Sequence, residues 1–272
     1  MPVSTKDKRA AFRKLHESGC FVLPNPWDVG SALALQHLGA KAIASTSAGY
    51  AWTIGRADTR ITVDDACEHL TALCRAVDLP VNADFEGGFA DEPEKVAVNV
   101  ARGVATGVAG LSIEDSTGDQ ANPLYERAFA IERIKAARAA IDADNSGALL
   151  VGRCEAFLWG QTDLALVIDR LNAYAEAGAD CLYSPGIKSK EHIAAVVKAV
   201  HPKPVNLLIG SSGLSVAEAA DVGVRRISVG GSLARVAWAG FMKASREMLQ
   251  QGTFTELGNG FPGGELNKMF SD

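Results

Sequence analysis

Four short stretches of this chain place oxygen-bearing and cationic side chains where apolar runs end. They are Ser45-Thr46-Ser47, Asn82-Ala83-Asp84-Phe85-Glu86, Ile113-Glu114-Asp115-Ser116 and Gly152-Arg153-Cys154-Glu155. Asn206 adds a polar group inside an otherwise apolar run. Carboxylates at successive run ends, with an arginine facing them, make an oxygen-ligand set for a hard cation. Mg²⁺ takes oxygen ligands in octahedral geometry, keeps several waters and is held by one or two protein carboxylates plus the substrate; Mn²⁺ is a possible substitute. A 2-oxo acid chelates such an ion through its carboxylate and carbonyl oxygens, and the ion then acts as a Lewis acid as enolate charge develops. Arg153 has the planar fork that clamps a substrate carboxylate. Ser45, Thr46 and Ser47, with their backbone N–H groups, suit a second anionic group.

These residues need a scaffold that brings several strand ends to one place. Short runs rich in Val, Ile or Leu occur at 20–24, 41–45, 80–85, 110–114, 149–153, 180–184, 204–209 and 225–229, bounded by Gly, Pro, Asn or Asp. Stretches with helical apolar spacing lie between them, at 28–38, 62–77, 94–106, 131–143, 164–177, 190–200 and 215–221. Several end at a glycine suited to the left-handed cap: Gly39, Gly107, Gly178 and Gly223. Eight alternating units predict a closed (β/α)₈ barrel, in which functional residues sit at strand C-termini and in the following loops. An open dinucleotide-binding sheet would carry G-x-G-x-x-G after its first strand, and Asn25-Pro26-Trp27-Asp28 stands there instead. No linker divides the chain, so 1–272 reads as one domain: an N-terminal helix within 1–19, the barrel over 20–230, and a last helix with an extension over 231–272.

The 272 residues carry a net charge of −5 with both signs interspersed, which leaves no basic stripe for nucleic acid and no polybasic membrane anchor. Five cysteines, with no C-x-x-C pair, suggest neither a zinc ribbon nor a disulfide framework and fit a reducing cytoplasm. The polar start and the lack of a long apolar run predict a soluble, cytosolic protein. His16, His37, His69, His192 and His201 all fall on helical segments or their ends, away from the strand termini.

The segment "NADFEGGF" resembles the D-x-D-x-G-[YF] segment of the isocitrate lyase/phosphoenolpyruvate mutase superfamily. "IED" and "GRCEAF" resemble its Glu-Asp strand end and its Arg-x-Glu strand, and "STSAGYAWTIGRAD" its substrate-binding loop. Each motif is common alone; the four in this order, across about 21–236, are not. The resemblance implies a Mg²⁺-dependent carbon–carbon lyase acting on a small 2-oxo or 2-hydroxy acid, with Asp84 and Glu114 as metal carboxylates and Asp58 and Glu86 as outer members of the acidic cluster. It also implies that Ser45, Thr46, Ser47, Asp84, Arg153 and Asn206 bind substrate, and that Asn122 serves on a gating loop. Asp58, Glu114, Asn122 and Arg153 form the expected catalytic set.

The departures are specific. The isocitrate and methylisocitrate lyases carry a Cys-Gly-His segment after the fourth strand, and this chain reads Thr117-Gly118-Asp119-Gln120-Ala121-Asn122-Pro123 there. The phosphonate-processing members have Lys-x-Asn where Gln120-Ala121-Asn122 stands. Alternatives are therefore a phosphonopyruvate-type mutase or hydrolase, or a non-catalytic barrel that binds a 2-oxo acid. Plainer roles are also open: Asp84 and Glu114 as helix caps, Arg153 as a partner of Glu155 or Glu114, the Ser/Thr stretch as a turn, and Asn122 as a solvent-facing side chain.

Two further expectations follow. The polar segment 115–126 reads as a lid that orders over ligand. The helix over 231–251 and the Phe-rich tail carry more apolar surface than a monomer leaves exposed. With the resemblance, this implies a homotetramer, a dimer of dimers exchanging the last helix.

Overall fold

The computed structural model describes residues 2–210 and 213–271. Eight strands form one parallel sheet: β1 (Phe21–Leu23), β2 (Ile43–Ala44), β3 (Val81–Asp84), β4 (Gly110–Glu114), β5 (Leu149–Arg153), β6 (Cys181–Tyr183), β7 (Val205–Leu208) and β8 (Arg226–Ser228). Their order is β1-β8-β7-β6-β5-β4-β3-β2, so the sheet returns on itself as a (β/α)₈ barrel. Around it run α1 (Thr5–Leu15), α2 (Val29–His37), α3 (Ser47–Thr53), α4 (Val63–Ala76), α5 (Pro93–Ala105), α6 (Arg127–Ala143), α7 (Leu164–Glu176), α8 (Lys190–Val200), α9 (Val216–Asp221) and α10 (Ser232–Gln251), with a short α11 (Gly263–Met269) in the tail.

The local chemistry explains the starts and stops. Asp28 and Thr62 close capping boxes at the head of α2 and α4, satisfying amides that the first turn leaves free. Gly39, Gly107, Gly178 and Gly223 all take positive φ after a helix, as expected for left-handed stops. Between helices and strands lies a continuous layer of buried Val, Leu, Ile and Ala, including Val96, Val100, Leu111, Ile113 and Leu150.

Inside the barrel, Phe12 of α1 meets Phe21, Leu23 and Leu149, closing the N-terminal mouth. The seam between β1 and β2 has no strand ladder. One main-chain bond crosses it, from the Ala44 N–H to the Pro24 carbonyl (3.0 Å). The Asn25 side chain does the rest: its Nδ2 donates to the Ser45 carbonyl (2.8 Å), and its Oδ1 accepts from the Val229 and Gly230 amides.

Two segments differ from the sequence expectation. The Ser/Thr stretch and the residues after it, expected as a substrate loop, wind into α3, with Thr46 as the cap accepting from the Gly49 amide (3.3 Å). The helix lacks an apolar period, and it packs closely instead: a Cβ on Gly49 would come within 2.9 Å of Trp27 and 3.4 Å of Ala234. The tail, read from the sequence only as an extension after the last helix, holds a 3₁₀ turn at Thr255–Asn259 and α11. Glu247 accepts the Thr255 and Glu256 amides and so anchors that turn to α10.

Candidate active site

A cavity of about 850 Å³ opens at the C-terminal ends of the strands and reaches down into the barrel. Ser45, Thr46, Ser47, Asp58, Asp84, Glu86, Glu114, Arg153, Glu155 and Asn206 all line it. Asn122 does not. It is exposed on the loop after β4, its amide 3.4 Å from Asp119 and its carbonyl bonded by Thr117.

Asp84, ending β3, is held from two sides. Its Oδ2 accepts both the N–H and the hydroxyl of Ser47 (3.0 Å each), and its Oδ1 accepts from Arg153 Nη1 (3.1 Å). Its own amide donates to Ser45 Oγ (2.9 Å). Ser47 thus aims the Asp84 carboxylate and Ser45 fixes its main chain, while Thr46 uses its hydroxyl on the helix cap. Arg153 also lies 3.2 Å from Glu114 and bonds Glu155 through Nε, so the plain pairing role is part of its behaviour. Its Nη2 bonds to no described residue while the partly exposed side chain lines the cavity, which leaves one edge of the fork free. Its ring-facing neighbour is Tyr183, with Cζ 5.2 Å from the ring centroid.

Glu86 sits just after β3 with φ +46°, a left-handed conformation that costs a non-glycine residue about 1–3 kcal/mol and is concentrated at functional sites. Its Oε1 is buried without a hydrogen-bond partner. Burial first, then the charges of Asp84 and Asp58, push its carboxyl up to about 8. Asp58 is raised by burial and by Asp84, and Glu114 by burial and by Glu155, Asp84 and Glu86, against the pull of Arg153. Burial alone would lower the Arg153 guanidinium; Glu114, Glu155, Tyr183 and Asp84 hold it well above its usual value.

Three carboxylates, Asp84, Glu114 and Glu155, therefore share one arginine on this wall, Asp58 and Glu86 line the same cavity, and one buried oxygen has no donor. That is a deficit of positive charge, with hard oxygen ligands, and it fits Mg²⁺. Among the described residues no group of three or more His, Cys, Asp and Glu side chains is placed to hold an ion alone. Mg²⁺ suits that case because it keeps waters and needs only one or two protein carboxylates.

Behind the wall, Asp115 points away from the cavity. It accepts from Tyr174 (2.6 Å), Arg170 (3.1 Å) and the Glu155 amide (2.8 Å). Cys154 is fully buried in the strand–helix layer, as strand alternation predicts.

A model of the family "Phosphoenolpyruvate phosphomutase" matches residues 12–249. The chain belongs to that family. It is thereby a member of the isocitrate lyase/phosphoenolpyruvate mutase superfamily and an enzyme of its lyase/mutase class. A crystal structure of lyase/mutase type from Burkholderia cenocepacia J2315 is 45% identical, with a TM-score of 0.95 over 98% of both chains. The oxaloacetate decarboxylase of Pseudomonas paraeruginosa (strain DSM 24068 / PA7) is 30% identical across 91% of this chain and 86% of its own length. An oxaloacetate acetylhydrolase in complex with its product oxalate is 27% identical, with a TM-score of 0.86 over 98% of this chain and 94% of the other.

Sequence reasoning passed over Tyr183, Arg226 and Ser228, which also line the cavity. The signal was present: Arg226 and Ser228 are two apart on β8, the spacing of side chains on one face of a strand.

Proposed function

We propose that this protein is a Mg²⁺-dependent lyase, with Mn²⁺ as a substitute ion, that cleaves or decarboxylates a small 2-oxo or 2-hydroxy dicarboxylic acid through an enolate. The observation that carries the reading is the cluster of Asp58, Asp84, Glu86, Glu114 and Glu155 around Arg153 in one cavity, with Glu86 Oε1 unsatisfied. Asp84 and Glu114 would hold the ion, directly or through water, with Glu86 and Asp58 outside them. The ion supplies Lewis-acid stabilisation of enolate charge. Arg153, through its free edge, clamps a substrate carboxylate, and its fork fixes the orientation of the bond to be broken. Ser45 and Ser47 keep Asp84 aimed, and Thr46 holds the turn that carries them. Asn206 offers an amide from the barrel wall, and Asn122 would join only if its loop closes.

Two relatives of this chain carry oxaloacetate in their names, which makes oxaloacetate the first substrate to test. Turnover with Mg²⁺, abolished by EDTA and restored by added metal, supports the reading. Turnover of phosphonopyruvate instead would favour the mutase or hydrolase reading, which the matching family model keeps in view despite Gln120. Ligand binding without any turnover would favour a non-catalytic barrel.

The assembly belongs to the same reading. Along α10 every residue from Arg235 to Lys243 is exposed, including Val236 at 70% and Phe241 at 60%. A helix apolar on an uncovered face needs a partner. A homotetramer of paired dimers with α10 exchanged between subunits supplies one. Among the described residues no helix is long and apolar enough to cross a membrane; the five cysteines are free thiols, which supports the cytoplasmic setting of this reading.

A further inference from the structure

The floor of the cavity holds a guanidinium that the proposed chemistry leaves unused. Arg226 on β8 is only 2% exposed. Its Nε donates to Asn206 Oδ1 (2.8 Å), and its Nη1 lies 3.3 Å from Asn82 Oδ1 and 3.4 Å from His16 Nε2. All three partners are uncharged, since burial and the arginine itself hold His16 down at about 3. Among the described residues no carboxylate pairs with Arg226, whereas half-buried Arg153 and buried Arg170 each have at least one. Arg133, equally buried, has three backbone carbonyls and the Tyr125 ring instead.

A second observation gives this cation an outlet. The hydrogen bonds of Arg226 run through Nε and Nη1, none joins Nη2 to a described residue, and Arg226 lines the same cavity as Asp84 and Arg153. Asn82, which Arg226 touches, lies two residues before Asp84 on β3, roughly 6.6 Å along the strand. The spacing between the two levels is that of a short carbon chain. Burying an unpaired charge is costly, and apolar replacements of buried charges are often neutral or stabilising. A cation held at that cost beside open space is set for an anion that arrives from outside.

We propose that Arg226 forms, with Asn206 and Ser228, an anion subsite on the barrel floor that takes the distal carboxylate of a four- or five-carbon dicarboxylate. The chain of that acid lies along the barrel axis, with its other end at the Asp84–Glu114 level. The inference rests on the dicarboxylate reading above for its ligand class. The subsite also assigns Asn206 a positioning role: its amide oxygen holds Nε, and its Nδ2 donates to Ser228 Oγ (2.9 Å). Specificity for chain length would then be set by the distance between floor and rim, and monocarboxylates would leave the cation unanswered.

The test separates floor from rim. The full chain is titrated by calorimetry with glutarate in EDTA, and separately with oxalate in Mg²⁺, alongside Arg226→Met and Arg226→Lys. Glutarate should bind the native protein at least about tenfold more tightly than the Met variant, with the Lys variant between them. Oxalate affinity should change by less than about threefold in either. The unliganded Met variant should melt no lower than the native protein. Equal glutarate binding in native and Met proteins, or no glutarate binding at all, overturns the subsite. So does a Met variant that fails to fold together with a Lys variant that binds glutarate as the native chain does. Failure of oxalate to bind in Mg²⁺ would count against the metal reading and leave the glutarate comparison to decide the subsite.

Discussion

One serine, Ser47, serves one oxygen of the Asp84 carboxylate through both its N–H and its hydroxyl, and Arg153 holds the other oxygen, an arrangement that fixes the carboxylate's direction before any ion arrives. Replacing Asp84 or Glu114 with Ala is expected to lower Mg²⁺-dependent oxalate affinity by at least about tenfold, or about 1.4 kcal/mol. The fold should persist by circular dichroism, and an unchanged calorimetric affinity in both variants would remove the metal assignment. Glu86 gives a pH signature. Its folded-state value of about 8 lies above the 4.5 of an ordinary glutamate, so its stabilisation is complete below about 4.5 and is lost as pH rises through about 8. Thermal melts of the metal-free protein should therefore fall between about pH 5 and about pH 8.5. Glu86→Gln should flatten that fall and melt a few degrees higher at the alkaline end, about what 1 kcal/mol gives in a chain this size. A melt for Glu86→Gln that tracks the native protein across this range would show that Glu86 is not the group responsible.

At the scale of elements, the loop after β4 is more organised than a polar lid suggests. Ser116 bridges to Leu124, the Thr117 amide donates to the Pro123 carbonyl (3.0 Å), and both ends are pinned through Asp115 and Tyr125. Arg170 reaches the Tyr125 carbonyl (2.9 Å) from behind. If this loop closes over ligand, it should move as a small preformed flap hinged at Asp115 and Tyr125. Limited proteolysis within 116–124 should then slow with saturating oxalate and Mg²⁺; equal cleavage rates with and without ligand would rule closure out. The sequence reading placed the eight strands because each is a short apolar run between turn residues, and it placed Asp84, Glu114 and Arg153 because three of those runs end in a charged side chain. It missed α3, whose helix rests on a Thr46 cap and a close approach at Gly49 rather than on an apolar period. It noticed Asn206 but passed over Arg226, because a charged residue at a strand start reads as solvent-facing until the register puts it inside the barrel.

For the whole molecule, light scattering at micromolar concentration should give a mass near four times 28.5 kDa, and a value near 28.5 kDa would exclude the exchanged assembly. Truncation after Gly230 removes α10 and should give insoluble protein, since Ala234 packs beside Gly49 against α3. The seam between β1 and β2 has its own consequence. A hoop closed by one main-chain bond and one asparagine has a preferred place to breathe, and the clasp is bonded to Ser45, which receives the Asp84 amide. Deuterium should enter the Ala44 amide sooner than the Leu111 amide, which sits mid-ladder between two neighbours. Each such opening would also loosen the hold on Asp84. The rhythm of the barrel's weakest stave and the readiness of its acidic rim would then be one motion.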